Sequence, residues 1–559
     1  MKIKSPRLAL ATAVLTVLAA FGSAQAADVV PVFFDAAGAG YFDTTPVAPV
    51  GGNPGTTRGE QRRIAAQYAA ALWGSVLESN VPIFIGARFA PLAPGVLGSA
   101  GSARAFADIP NGKPGVLYGG ALADALVGVD LRPGFVDINS NFSTNFNFYY
   151  GLDGNAPAGL TNFLDVVMHE YAHGLGFASF ANSATGALLF GLPDAYNVFA
   201  YHNPTAKFWP QMTDAERQTA VLDYGNVVFT GARATAGAQL LLGPRRDFRV
   251  LSPAPVAGNY SYGPAFFGPA ITNANFTGEV VLGNDATIEP AIGTGLPGTA
   301  TDGCSPLTNP ANMAGKIVLL DRGYCGFTVK VKNAQNAGAK AVIIGHRVLP
   351  TDVPLADTNP PGGLGGSDPT ITIPSLRVTQ AASTVFKANL PLQVTFVVDP
   401  TKRQGADDAG RPRLFAPNPV QSGSSFSHYD SIAEPNLLME PAINVTLKGI
   451  YDLDITPALL ADIGWKLNTA KAPLSSPNVP ACDAWIPVNS DSGLMAGATV
   501  QAAHQLCLVT ARTRTQYSTC MTQAKDRLVA SGLITPTQGQ QVMVCARRVT
   551  DHTRFPIPQ

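Results

Sequence analysis

Apolar side chains after Thr57 recur at helical intervals: Ile64, Tyr68, Leu72 and Val76 fall on one face. Thr57 and Glu60 have capping-box spacing, so a helix is expected over about 58–78. Val81 to Ala90 is β-branched and aromatic and predicts a strand packed on that helix. From Val136 to Tyr150 the even positions are nearly all apolar or β-branched, while Asp137, Asn139, Asn141, Asn145 and Asn147 occupy odd ones. Period two predicts a strand with one wet face, as expected of an edge strand beside a cleft. A helix over about 162–174 comes next, with Asn162 and Asp165 at its start and a strongly apolar body.

The texture changes over about 250–400 to short β-rich runs (GEVVL, GKIVLLDRG, KAVIIG, TITIPSLRV) separated by Gly/Pro turns, with one helix near Thr328 to Ala337. Arg411 to Pro417 then reads as a strand, Gly423-Ser424-Ser425 as a tight loop, and Thr456 to Asp462 as a short helix. A Pro/Ser/Asn-rich linker spans about 470–481, and three helices are expected near 496–508, 512–531 and 535–549. The pattern predicts an α+β protein: a mixed-sheet unit in two parts, 27–249 and 401–468, interrupted by a β-rich domain at 250–400 and followed by a helical unit at 482–559.

At 559 residues, 46% hydrophobic and 14% charged, the chain is globular and too long for one core. Residues 1–26 carry Lys2, Lys4 and Arg7, an apolar run from Leu8 to Phe21 too short to span a bilayer, and small residues Ala24 and Ala26. They read as an export signal, with no membrane anchor and an extracellular or periplasmic destination. Removing that signal leaves 35 basic against 38 acidic residues, which excludes a basic footprint for nucleic acid. The 6 cysteines, all from 304 onward, are an even number in an exported chain, so disulfides are expected.

The chemistry lies in His169-Glu170-Tyr171-Ala172-His173. Two histidines four apart on a helix aim both imidazoles at one ion, and zinc is the natural occupant. With 7 histidines in 559 residues, chance produces this pattern in roughly one such chain in a thousand. The apolar flanks place it in a buried segment, where two imidazoles and a carboxylate need a cationic partner. Glu170, beside the first ligand, is positioned as the general base toward water attacking a carbonyl carbon. Asp165 is either an acceptor orienting His169 or a helix-start acid, and its place after Asn162 favours the latter.

With Gly174 and Gly176 following, HEYAHGLGF resembles the metzincin metallopeptidases, whose motif runs His-Glu-x-x-His-x-x-Gly-x-x-His. Ser179 stands where most of those enzymes carry a third histidine, so the third ligand must come from elsewhere. Among His202, His346, His428, His504 and His552, only His428 has a matching context, SSFSHYDSIAEPNLLMEPAI. Leishmanolysin-type metzincins have an insertion before the third histidine and, about eleven residues after it, a methionine in a tight turn beneath the metal. That resemblance implies His428 as third ligand and Met439 as the turn residue; Asp194 and His202 are the other candidate ligands among the residues themselves. TPALLADIGW, with Asp462, Gly464 and Trp465, resembles the end of such catalytic domains. Tyr429 is a weak candidate for oxyanion stabilisation. Pro441 excludes the tyrosine ligand that some metzincins place after the turn.

The inserted region resembles the protease-associated (PA) domain: Asp302-Gly303-Cys304, GKIVLLDRGYC, FTVKVKNAQNAGAKAVIIG and ITIPSLRV follow its order. The resemblance implies a module that binds or gates substrates, with Cys304 paired to Cys325. Cys482, Cys507, Cys520 and Cys545 allow three pairings. The reading that follows is an exported zinc endopeptidase with one catalytic Zn2+ on His169, His173 and His428, acting on polypeptides laid along an edge strand within 136–150. Calcium and oligomeric state stay unassigned. The rival is a non-catalytic exported binding protein with a structural zinc site.

Overall fold

The computed structural model describes residues 27–443 except 158, 266, 286–296, 348–362 and 367, then 447, 453–468, 500, 503, 504, 507, 511, 513–530 and 534–548. The export signal, the linker, Cys482, His552 and most of the helix expected over 496–508 lie outside them.

The first helix, Arg58–Val76, starts at a reciprocal cap: the Thr57 hydroxyl accepts from the Glu60 N–H at 3.2 Å, and the Thr57 N–H donates to Glu60 Oε2 at 3.1 Å. Its buried face carries Ile64, Tyr68, Leu72 and Trp73. Trp73 Nε1 donates to the Met168 carbonyl at 3.0 Å, pinning this helix to the helix Phe163–Gly174.

These helices pack with a four-stranded sheet ordered Val29–Phe33, Ile83–Ala90, Ile138–Ser143, Gly98–Ser102. The first three strands are parallel and the fourth runs antiparallel to its neighbour. Ile138–Ser143 is therefore bonded on both sides and is not an edge strand. Its alternation has another cause: Ile138 and Phe142 face the helices, while Asn139 and Asn141 face the open side, where Asn141 Oδ1 accepts from Arg88 Nε at 2.8 Å. The edges are Val29–Phe33 and Gly98–Ser102, and the one beside the helix Phe163–Gly174 is the latter, whose Gly-Ser-Ala-Gly-Ser sequence carries almost no β-propensity to announce it.

Arg411 to Pro417 is also corrected. It forms only single bridges, Pro412 to Ala406, Arg413 to Val228 and Leu414 to Tyr429, because Pro412 and Pro417 remove donors that a ladder would need.

The inserted domain is an eight-stranded mixed sheet bounded in sequence by Pro244–Ser252 and Leu392–Arg403, with parallel strands at its centre. Two helices cover it, Phe327–Asn336 and Gln380–Ala388. The second was not expected: it is short and carries β-branched Thr384 and Val385, and it is set by the Thr379 hydroxyl accepting from the Ala382 N–H at 3.1 Å. Pro244 and Arg403 are register partners, so the insertion leaves and re-enters the chain at neighbouring points.

The C-terminal helices Arg514–Ala530 and Pro536–Arg548 carry Tyr517, Met521 and Val542 into the same core as the first sheet. Cys507 and Cys520 are bonded there, as are Cys304 and Cys325 in the inserted domain. Cys545 is also disulfide-bonded. Among the described residues no helix is long and apolar enough to cross a membrane.

Because the Thr57 cap satisfies helix-end donors in both directions, Thr57→Ala is expected to destabilise this unit by about 1 kcal/mol. A lowered urea midpoint in the helical circular dichroism signal checks it, and an unchanged midpoint contradicts it.

Candidate metal centre

The helix Phe163–Gly174 starts at Asn162, whose Oδ1 accepts from the Leu164 N–H at 3.3 Å while its Nδ2 donates to Asp165 Oδ2 at 2.8 Å. Asp165 thus belongs to the helix start, and the group that orients His169 is a backbone carbonyl instead. Every residue of the helix is buried. At Gly174 a Cβ would lie 2.2 Å from Ile138, so glycine sets the approach of helix to sheet. Gly176 sits at φ +118°, and a Cβ there would meet Ile463 at 2.7 Å. The sharp turn brings the Phe177 carbonyl back beneath His173, and Trp465 Nε1 donates to the Leu175 carbonyl at 2.7 Å to hold it.

His428 arrives from the far side of the insertion. The Phe415 N–H donates to its carbonyl at 2.9 Å, and the Tyr429 N–H donates to the Met439 carbonyl at 2.8 Å. Met439 is fully buried in a turn closed by Glu440 N–H to the Leu437 carbonyl at 3.2 Å. Asp454 accepts from the Leu438 N–H and steadies that turn.

The three imidazoles meet with Nε2 atoms 3.1 Å apart for His169–His173, 3.1 Å for His169–His428 and 3.2 Å for His173–His428. Each Nδ1 faces a backbone carbonyl at 2.7 Å: Leu438 for His169, Phe177 for His173 and Ser424 for His428. A carbonyl only accepts, so each Nδ1 carries the proton and each Nε2 presents a bare lone pair. Burial keeps the rings neutral: it pulls His169 down to about 4 and His173 down to about 3, and His428 well below its ordinary value. Three lone pairs converge with no proton among them.

That arrangement fits a divalent cation. A triangle with sides of about 3.1 Å has its centre roughly 1.8 Å from each corner, so an ion slightly off the plane reaches zinc–imidazole bond length, about 2.0–2.1 Å. Among the described residues this is the one His/Cys/Asp/Glu group of three arranged to hold a metal.

Glu170 is buried on the same helix, and desolvation pushes its carboxyl up to about 8. It accepts from the Ala100 N–H of the edge strand, and a Cβ at Gly98 would lie 2.8 Å from its Oε1. Gly98 thus makes room for the Glu170 side chain between strand and helix. Neither this strand nor the three orienting carbonyls was foreseen, since backbone contacts leave no side-chain signature.

The other candidates are placed elsewhere. Asp194 accepts five hydrogen bonds, from the Ser179 hydroxyl, the Phe180, Tyr196 and Asn197 N–H groups, and Asn197 Nδ2. It organises the loop after the helix rather than facing the imidazoles. His202 pairs with Asp223 at 2.8 Å and Thr205 at 3.0 Å. His504 faces Tyr517 at 2.8 Å, and His346 is buried in the inserted domain. The Tyr429 hydroxyl points to the Ile455 carbonyl at 3.5 Å, and its ring packs edge-on against Phe177, so it is not placed as an oxyanion donor.

Residues 276–385 match the family model of the PA domain, so the inserted sheet contains a PA domain. Over 44 residues the chain is 52% identical to ER degradation-enhancing alpha-mannosidase-like protein 3 of Homo sapiens, covering 8% of this chain and 5% of that protein. Over 227 residues it is 26% identical to the protein of the same name from Xenopus laevis, covering 39% of this chain and 21% of that protein. The chain thus spans a small part of the curated relatives it matches. A solved zinc aminopeptidase from Bacillus subtilis is similar at 18% identity and a TM-score of 0.18, covering 30% of this chain and 36% of that one.

The geometry yields a ligand test. His428→Ala is expected to lower bound zinc in the purified chain to below about a tenth of wild type, whereas His202→Ala keeps it. Metal analysis after dialysis reads this, and equal retention in both variants contradicts the assignment.

Proposed function

We propose that this chain is an exported zinc endopeptidase of metzincin type, resembling leishmanolysin-type enzymes. The observation that carries the reading is the convergence of three bare imidazole nitrogens, from His169, His173 and His428, next to Glu170 and an edge strand. Three protein ligands leave a coordination position open, the arrangement of a catalytic rather than a structural site.

His169, His173 and His428 would hold the ion, with Met439 in the turn beneath it. A zinc ion there supplies Lewis acidity toward a carbonyl oxygen and toward water. Glu170 takes the proton from the water that attacks the carbonyl carbon and passes it to the leaving amine. The Phe177 ring lies 6.4 Å from the His173 ring and packs edge-on against Tyr429, so this side of the site is apolar. The Leu438, Phe177 and Ser424 carbonyls keep each imidazole in one tautomer and one orientation.

The substrate is a polypeptide. Gly98–Ser102 has one neighbour in its sheet, and its outer side, apart from the Ala100 N–H that Glu170 holds, offers main-chain groups to an extended chain. Export follows from the 1–26 signal pattern and agrees with the disulfides Cys304–Cys325 and Cys507–Cys520.

Casein digestion by the mature protein is expected to stop with a zinc chelator. Glu170→Gln is expected to lower kcat by at least about 100-fold while zinc stays bound. Full activity in Glu170→Gln contradicts the mechanism. Zinc binding without digestion of any casein or gelatin by the wild type favours the binding-protein rival.

A further inference from the structure

A polar cavity of about 260 Å3 lies where the inserted domain joins the rest of the chain. Tyr224, Asn226 and Arg413 line it from the sheet-and-helix unit, and Arg246, Tyr260 and Tyr262 from the insertion. Its walls carry four guanidinium groups, from Arg245, Arg246, Arg403 and Arg413, against one carboxylate, Asp247.

Three of the four are occupied. Arg245 bonds Asp247 at 3.1 Å and Asp408 at 2.7 Å, and Arg246 bonds Glu434 at 2.7 Å. Arg403 donates to the carbonyls of Gln239 at 2.8 Å and Pro400 at 3.2 Å. Arg413 differs. Its Nε is buried without a hydrogen-bond partner, and among the described residues its guanidinium has no ion pair. Asp430, which feels its charge, lies outside ion-pair distance: its Oδ1 accepts from the Tyr224 hydroxyl, and its Oδ2 is buried without a hydrogen-bond partner.

An unpaired buried donor group is costly, and a planar guanidinium fork is matched by carboxylate or phosphate oxygens. The wall carboxylate, Asp247, is already paired with Arg245 while the Arg413 fork is not, which favours an anion over a cation, and the volume lies below the roughly 300–1,000 Å3 typical of drug-sized ligands. We propose that this cavity binds a small oxyanion, a phosphate or an amino-acid-sized carboxylate, through Arg413. Such a ligand would span the junction between the PA-containing insertion and the segment behind the third histidine. The Asp430 N–H donates to the Arg413 carbonyl at 3.0 Å, and the Phe415 N–H to the His428 carbonyl at 2.9 Å. The site is separate from the imidazole triangle and does not depend on the proposed peptidase activity.

Calorimetric titration of the mature full-length protein with inorganic phosphate in one arm and succinate in the other tests this, at constant ionic strength set by chloride. At least one anion is expected to bind in the millimolar range or tighter, and Arg413→Met is expected to weaken it by roughly tenfold or more. Which arm binds identifies the source of the oxyanion. Arg413→Met breaks no internal hydrogen bond of the guanidinium, and unchanged zinc content and circular dichroism show that it is folded. Should it fail to fold, Arg413→Lys keeps the charge, loses the fork and is expected to bind more weakly than wild type. Absence of binding by the wild type in both arms, or wild-type affinity in the substituted chain, overturns the proposal.

Discussion

Three imidazole nitrogens, each stripped of its proton, are held 3.1–3.2 Å apart by three carbonyls of the protein's own backbone. Most of the surrounding architecture serves that crowding. Neutral nitrogens with lone pairs turned toward one another repel unless a cation sits between them, so the arrangement fits a bound divalent ion. Gly174 and Gly176 let the chain double back so that Phe177 reaches His173, and the turn at Met439 puts Leu438 under His169.

The third histidine lies 255 positions after His173, with an eight-stranded domain between them. The separation is tolerable because Pro244 and Arg403 are neighbours in register: the insertion hangs from a two-stranded stem and adds no distance at the site. Gly243 and Gln404 extend the stem through the Gln404 N–H to Gly243 carbonyl bond at 2.9 Å. That stem is also where, among the described residues, the Arg413 guanidinium has no ion pair, which makes the joint between the lobes a place where a small ligand can act on both.

What the sequence disclosed was local. The capped helix after Thr57, the two histidines one turn apart and the glycine after them follow from periodicity and spacing within a few residues. His428 was reached by resemblance, since nothing in its own neighbourhood points to a helix so far upstream. The edge strand was misplaced because Gly98–Ser102 is built of small residues of low β-propensity, of which Gly98 clears Glu170, while the alternating pattern of Ile138–Ser143 marks helices on one face only. The Arg413 cavity, assembled from several distant segments, has no sequence signature. Asp165 and Tyr429 drew attention as side chains that could orient or stabilise, yet backbone carbonyls do the orienting.

X-ray absorption at the zinc edge of the purified mature protein tests the central claim most directly. The account predicts a first shell of three imidazole nitrogens and one oxygen donor at about 2.0–2.1 Å. Sulfur scattering near about 2.3 Å, or a fully loaded protein whose zinc shows fewer than three imidazoles, would contradict it.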